Sequence, residues 1–374
     1  MADRPAALIL APECPYPAVG GGPLRTASLI EYLSQKYDVD LVVFQEQGQL
    51  VPAYASVIPL RYHSRSPFAR VLRNASRFVR GVPPLNDRFA GYELPVKRPY
   101  DVAIIEHFWC AGYLDALNCG EVWLNLHNIE SVLYRSSARS LVAPLMRRFA
   151  SSSLKLERQL LPRFSGLLVT SEADAERVRR IAPGCRPIVF PNTIPQVPPQ
   201  SRAKRREIIF SGNLEYEPNR EAVKYFRQEI WPLLRSSNVT WRLIGRNPEG
   251  VRRFVKGDPR IELSGPVEDA ISEIASAQVA VVPLRSGSGT RIKIIEAWAA
   301  GTPVVSTSIG AEGLPCRAGE HLLIANHPKS FAEAVIEVLE SERVATALAG
   351  AGRSLYEREL TWESAWRALS RVGL

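Results

Sequence analysis

Pro283–Leu314 reads PLRSGSGTRIKIIEAWAAGTPVVSTSIGAEGL. A short apolar run, VAVVP, ends at Pro283 and leads into a loop of small residues. A helix is predicted from near Thr290 to Gly301, and a second strand, PVVST, follows at once. Such a strand–loop–helix–strand unit delivers bare backbone N–H groups to a helix N-terminus, which carries about half a positive charge and suits a phosphate. Ser286, Gly287, Ser288, Gly289 and Thr290 have little side-chain bulk, so an anion can come close. On the helix, Gly289, Lys293, Glu296 and Ala300 share one stripe by three- and four-residue spacing. Ile292, Ile295 and Ala299 form an apolar stripe beside it, suited to packing on a sheet. Arg291 and Lys293 can meet a diphosphate, and Glu296 can accept hydrogen bonds from ribose hydroxyls. A Lys–Glu pair on a solvated helix face has the same spacing, which alone does not separate the two.

Outward from this stretch, the α/β pattern repeats. Near the start, AALILAP reads as a buried strand, a glycine loop (Gly20, Gly21, Gly22) opens a helix carrying Leu29, Leu33 and Tyr37 on one face, and DVDLVVF follows as a strand. This is the opening of a doubly wound domain. The glycines lack the full dinucleotide fingerprint, so NAD is not indicated; a tight turn explains them equally. DVAIIEH and EVWLNLHN read as further parallel strands, each ending in a histidine, and strand C-terminal ends are where open α/β sheets place ligands. His107 and His127 are therefore both site candidates, with strand capping as the alternative. Ser171 with Asp174 reads as a helix cap. PQVPPQSRAKRRE is proline-rich and then basic, without periodicity, and marks a linker. EIIFSGNLEYEPNREAV, WRLIGR, RIELSG and VEDAISEIASA then restart the alternation, and the tail is helical.

The run KIIEAWAAGTPVV with SIGAEGL resembles the C-terminal signature of family-4 glycosyltransferases of GT-B fold, and the likeness extends from the N-terminal GGG to the C-terminal TWE. It implies two Rossmann-like domains facing across a cleft. Residues 1–195 would form the acceptor domain, 196–206 a basic linker and 207–356 the nucleotide-sugar domain, with the final helix, 357–374, crossing back to brace the first. By resemblance the donor would meet Gly212, Asn213, the backbone at Val267, Ser288, Gly289, Thr290 and Glu296. Gly21 and Gly22 would border the donor diphosphate or the acceptor, and His127 would reach the reacting sugar or orient the acceptor. The sequence departs from the family at two points. A glutamate is expected eight residues before Glu296, where Ser288 stands, and basic residues are expected where Asn213 and Asn219 stand, with Arg220 one residue late. Arg291 and Lys293 are therefore expected to take over the leaving-phosphate charge. The resemblance implies transfer of a sugar, with retained configuration, to a saccharide or lipid-linked acceptor in cell-envelope or exopolysaccharide synthesis. A GT-B epimerase or hydrolase, and a non-catalytic nucleotide-binding partner, are the other readings.

Bulk properties fit that picture. The chain has 374 residues, room for two domains, with a formal charge of +9 and pI near 9.4, which favours an anionic partner. Nucleic acid is not expected, because aromatic and basic residues do not interleave. Cys14, Cys110, Cys119, Cys185 and Cys316 show no metal or disulfide spacing, and with no acidic cluster of DxD type, neither metal nor cofactor is expected. No apolar run approaches the roughly 20 residues that span a bilayer, and the N-terminus reads as a strand, so a cytoplasmic protein is expected. Residues 61–86 contain no Asp or Glu and carry Arg61, Arg65, Arg70, Arg73, Arg77 and Arg80. The last four fall within about 80° on a helix, a face suited to anionic lipid or a phosphate-bearing acceptor, or to plain solvation.

Overall fold

The computed structural model describes residues 4–45, 55–60, 75–96, 98–136, 143–287 and 291–374. These form two compact units, Met1–Pro191 with Ala368–Leu374, and Asn192–Arg367.

Unit 1 is built on strands β1 (Ala6–Ala11), β2 (Asp38–Gln45), β3 (Ala55–Pro59), β4 (Tyr100–Glu106), β5 (Cys119–Asn125), β6 (Gly166–Val169) and β7 (Ile188–Val189), in the sheet order β3-β2-β1-β4-β5-β6-β7. Every pairing is parallel. Parallel sheets are covered on both faces, which is why β1 is an unbroken apolar run, AALILA, buried at every position. Helix α1 (Gly21–Ser34) buries Leu29 and Leu33, while Tyr37 falls beyond its end. Helix α2 (Ala143–Leu160) follows β5 with many basic residues, and α3 (Glu172–Ile181) is capped by Ser171, whose hydroxyl accepts from the Asp174 N–H. The C-terminus is tied to α1 within this unit: Tyr32 Oη and Lys36 Nζ both donate to the Leu374 carbonyl at 2.6 Å.

Unit 2 holds β8 (Arg205–Ser211), β9 (Thr240–Ile244), β10 (Ile261–Gly265), β11 (Ala277–Val282), β12 (Val304–Ser306) and β13 (Leu323–Ile324), in the order β10-β9-β8-β11-β12-β13. All are again parallel. β8 begins two residues inside the expected linker because Arg206 is recruited: its Nε donates to the Ser237 carbonyl and its guanidinium pairs with Glu340. Helix α4 (Glu217–Tyr225) follows β8, and α5 (Ile292–Ala299) follows β11. Fully buried Phe226, Trp231, Trp241 and Phe331 pack together in the core, with Phe226 to Trp241 ring centroids 4.6 Å apart. Gly301 ends the α5 segment with φ 67°, the left-handed conformation that glycine accepts without strain. The tail helices are α6 (Pro328–Glu340), α7 (Glu342–Glu359) and α8 (Trp362–Ser370).

Candidate active site

In unit 2 the strand order reverses between β8 and β11, so loops leaving those neighbouring strands part in opposite directions and open a crevice at the strand ends. Ser211 and Gly212 end β8 on one side, and Lys293 and Glu296 of α5 stand on the other. Lys293 Nζ donates to Asn219 Oδ1 at 3.1 Å, and Asn219 Nδ2 donates to the Asn213 carbonyl at 2.7 Å. A Cβ at Gly212 would lie 3.5 Å from Lys293 Nζ and 2.9 Å from Asn219 Nδ2, so the glycine lets the backbone approach the cation. Gly245 keeps the next strand end equally bare: a Cβ there would stand 1.9 Å from the Gly212 carbonyl oxygen. Burial pulls Lys293 down to about 8, with Arg291 adding to the effect and Glu296 opposing it. Burial pushes Glu296 up to about 7 against the pull of Lys293 and a hydrogen bond from Ser211.

The other expected donor residues fall into distinct places. Ser288, Gly289 and Thr290 lie outside the described residues. α5 begins at Ile292, slightly later than expected, with Arg291 at its N-cap. Asn213 folds over its own turn, its Oδ1 accepting from the Glu215 N–H and from Asn247 Nδ2, both at 3.1 Å. Val267 follows Gly265 at the end of β10 and is half-buried. The two expected cations diverge. Arg291 is 6% exposed and donates to the carbonyls of Gly287 at 2.9 Å and Ile309 at 3.3 Å. It braces the turn after β11 against the segment after β12, while Lys293 stands over the Gly212 turn.

Unit 1 reverses its strand order between β1 and β4, and a second cluster gathers there. His127 Nε2 lies 2.6 Å from Glu106 Oε2, and Asn125 Nδ2 donates to both Glu106 oxygens at 3.0 Å. Arg25, from the first turns of α1, donates to Asn125 Oδ1 through Nε at 2.8 Å and Nη2 at 2.6 Å, and to the Phe190 carbonyl. The His107 ring stacks on His127 (centroids 3.7 Å apart) and on Trp109 (4.2 Å), with its backbone held at φ 64°. Gly20, at φ 93°, starts α1, whose first turn carries Gly21 and Gly22 and no acidic residue. A Cβ on Gly22 would lie 3.7 Å from both His127 Nδ1 and Glu13 Oε1. Burial holds both imidazoles well below their usual range and leaves the Glu106 carboxyl raised, against the opposing pull of Asn125 and Arg25.

Residues 205–341 match the family model described as Glycosyl transferases group 1. These residues carry a group 1 glycosyltransferase domain. The chain is 23% identical over 353 residues, covering 88% of this chain and 89% of the relative, to an uncharacterised 44.6 kDa protein in the cps region of Klebsiella pneumoniae. Among solved structures it resembles sucrose-phosphate synthase from Thermosynechococcus elongatus, with TM-score 0.74, 17% identity and 98% of each chain covered. It also resembles Anabaena Alr3699/HepE in complex with UDP and glucose, with TM-score 0.67, 12% identity, and coverage of 98% of this chain and 99% of that one. At such identities the likeness is one of fold, and that fold is GT-B.

Sequence reasoning missed Glu106, Arg25 and Asn125, and found Asn219 only as a departure from the family pattern. A glutamate closing an apolar strand (VAIIE) was the one available signal, since such a carboxylate must find buried partners. The arginine face expected over 70–80 is corrected in part. Arg70 and Arg73 lie outside the described residues, and Arg77 turns inward, 9% exposed, bonding Asp87 Oδ2 at 2.8 Å. Arg80 bonds the other Asp87 oxygen at 2.9 Å, so the two arginines share one carboxylate and only part of their charge is offset. A cavity of about 620 Å³ lies at the opposite end of the unit 2 sheet, lined in part by Lys204, Gln278, Pro303 and Arg353 near the strand starts. It is far from the Lys293 crevice along the strands.

Proposed function

We propose that the transferase takes a sugar from a nucleoside diphosphate sugar, held in the unit 2 crevice, and passes it to a saccharide or lipid-linked acceptor in polysaccharide or cell-envelope synthesis. The observation that carries this reading is Lys293, partly dehydrated and held by Asn219 above the bare Gly212 turn, with Glu296 one helical step away. Breaking the bond between sugar and phosphate leaves growing negative charge on the diphosphate while the sugar becomes cation-like. A cation already in place stabilises that charge without reorganising at the moment of reaction. Glu296, beside Ser211, accepts from the ribose. Arg291 keeps the helix entrance in shape, and His127 serves the sugar or the acceptor in unit 1. Support for a uridine donor comes from the HepE likeness, that protein having been solved with UDP and glucose; support for the pathway comes from the cps-region relative. Retention of configuration and independence from divalent metal complete the proposal, following the family resemblance, and the site is read as working on the cytoplasmic side of a membrane.

Thermal-shift and calorimetric screening against UDP, GDP, ADP, TDP and their sugars tests this directly. One nucleotide should raise the melting temperature, and Lys293→Met should lose that response and slow transfer by about 10²-fold, the usual effect of removing one such charge donor. A Lys293→Met variant that binds and turns over normally, or a protein that binds no nucleotide, overturns the reading.

A further inference from the structure

The buried carboxylate of unit 1 has no direct part in the reaction proposed above, yet it is the most heavily engaged acidic group near His127. Glu106 is fully buried at the end of β4. Asn125 donates to both of its oxygens, and Asn125 is itself oriented by two donors from Arg25. This order leaves Asn125 no freedom to flip: its Oδ1 faces the guanidinium, so its NH2 must face the carboxylate. A carboxylate that accepts on both oxygens from an amide and lies near a guanidinium fits the ionised form. Its contact with His127 Nε2, at 2.6 Å, is then an N–H donation from the ring. A neutral imidazole with its proton on Nε2 has a lone pair on Nδ1. That nitrogen faces the backbone of Gly22, the residue whose missing side chain leaves room beside it. Among the described residues, Nδ1 has no hydrogen-bond partner. His107, stacked flat on the same ring, prevents it from turning over.

We propose that Glu106 is a positioning residue that fixes His127 as a hydrogen-bond acceptor at Nδ1, so that unit 1 recognises a carbohydrate hydroxyl and not a phosphate. An imidazolium at this place would attract an anion; a neutral ring showing a lone pair repels one and takes an O–H. Arg25 and Asn125 extend the arrangement back to α1 and β5; Asp174 acts on Arg25, Arg25 acts on both imidazoles, and Glu13 Oε1 borders the same Gly22 position as Nδ1. The inference deepens the glycosyltransfer reading and rests on it for the identity of the ligand, but the tautomer itself is a property of the free protein.

Nitrogen-15 NMR of histidine-labelled whole protein reads the tautomer with no substrate present. The expected spectrum shows His127 with Nε2 protonated, Nδ1 bare and no titration near neutral pH. Glu106→Gln, checked for folding by circular dichroism, should lower the ratio of Nε2–H to Nδ1–H forms by roughly tenfold, and Glu106→Asp should restore most of it. A protonated Nδ1 or a charged ring in the wild-type protein, or an unchanged tautomer in Glu106→Gln, overturns the proposal. For the ligand, the nucleotide sugar selected by thermal screening and a methyl glycoside separate donor from acceptor hydroxyls. Whichever moves the Nδ1 resonance names the source, whereas a response to inorganic phosphate alone, or to neither sugar, overturns hydroxyl recognition. If no nucleotide binds at all, the donor assignment fails while the tautomer result stands on its own.

Discussion

Lys293 and Glu296 have each lost water, and the loss has drawn their titrations towards one another, to about 8 and about 7. In the free protein Lys293 gives up its proton as pH rises through 8, earlier than an exposed lysine. An arriving diphosphate favours the charged form again, so binding above that pH must take up a proton. Glu296 accepts from a ribose hydroxyl best as a carboxylate, a form lost as pH falls through 7. Affinity for the nucleoside diphosphate is therefore expected to peak between about 7 and 8 and to fall by up to tenfold per unit on either side. Calorimetry in buffers of different ionisation enthalpy measures both the affinity and the proton taken up. A second expectation concerns Gly22. Alanine there touches only Glu13 and His127 at ordinary contact distance, and in a helix it adds a few tenths to about 1 kcal/mol of stability. The same methyl fills the space beside Nδ1, so KM for the sugar substrate should rise about tenfold, within the usual range for one misplaced methyl, while melting temperature holds or rises. Lys293, Glu296, His127 and Gly22 could be named from the sequence because helix spacing and strand ends mark them. Their partners could not. Asn219 is 74 residues from Lys293, and Arg25 is 100 from Asn125, separations at which only the folded sheets bring side chains together.

At the level of elements, α5 carries Lys293 and Glu296, and it is held by α7. A Cβ on Gly352 of α7 would stand 2.2 Å from Trp298 Cδ1 and 2.6 Å from its Nε1. Trp298 is fully buried and its indole N–H donates to the His321 carbonyl at 3.0 Å, so the ring cannot move aside. Helix preference favours Gly352→Ala by about 1 kcal/mol, but forcing a methyl into a packed contact costs about 1–3 kcal/mol and more where backbone must shift. The clash should win. Thermal denaturation is expected to show a lower melting temperature, with nucleotide affinity reduced because α5 carries Lys293. The contrast with Gly22 is instructive, since both glycines look alike in a sequence and only the neighbour differs. Strands were legible because buried parallel strands are continuous apolar runs, and Ser171 was legible as a cap because its partner is three residues away. The arginine face at 70–80 was misread at Arg77 because Asp87 is not on the same helix, and its effect on the charge follows from packing, not from period.

For the whole molecule, the sequence supplied the repeat of α/β halves and a surplus of positive charge, +9, which pointed to an anion without saying where it goes. The sheets answer that separately for each unit, because each reverses its strand order once and gathers polar residues at that reversal. The two gatherings differ in kind. Unit 2 offers a lysine, bare glycine backbone and a carboxylate; unit 1 offers neutral imidazoles braced by a buried carboxylate and an arginine. The proposed reading puts phosphate with the first and hydroxyl with the second. Hydrogen exchange read by mass spectrometry on the full chain, with and without UDP, turns this division into a map. Nucleotide alone should slow exchange in peptides covering Ser211–Arg220, Gly245–Gly250 and Arg291–Glu296, since backbone amides there border the crevice and binding suppresses local opening in proportion to occupancy. Peptides around Gly22, Glu106 and His127 should respond to a nucleotide sugar or acceptor more than to UDP. Protection by UDP centred on Gly22 and His127, with none at Gly212 or Lys293, would exchange the roles assigned to the two units.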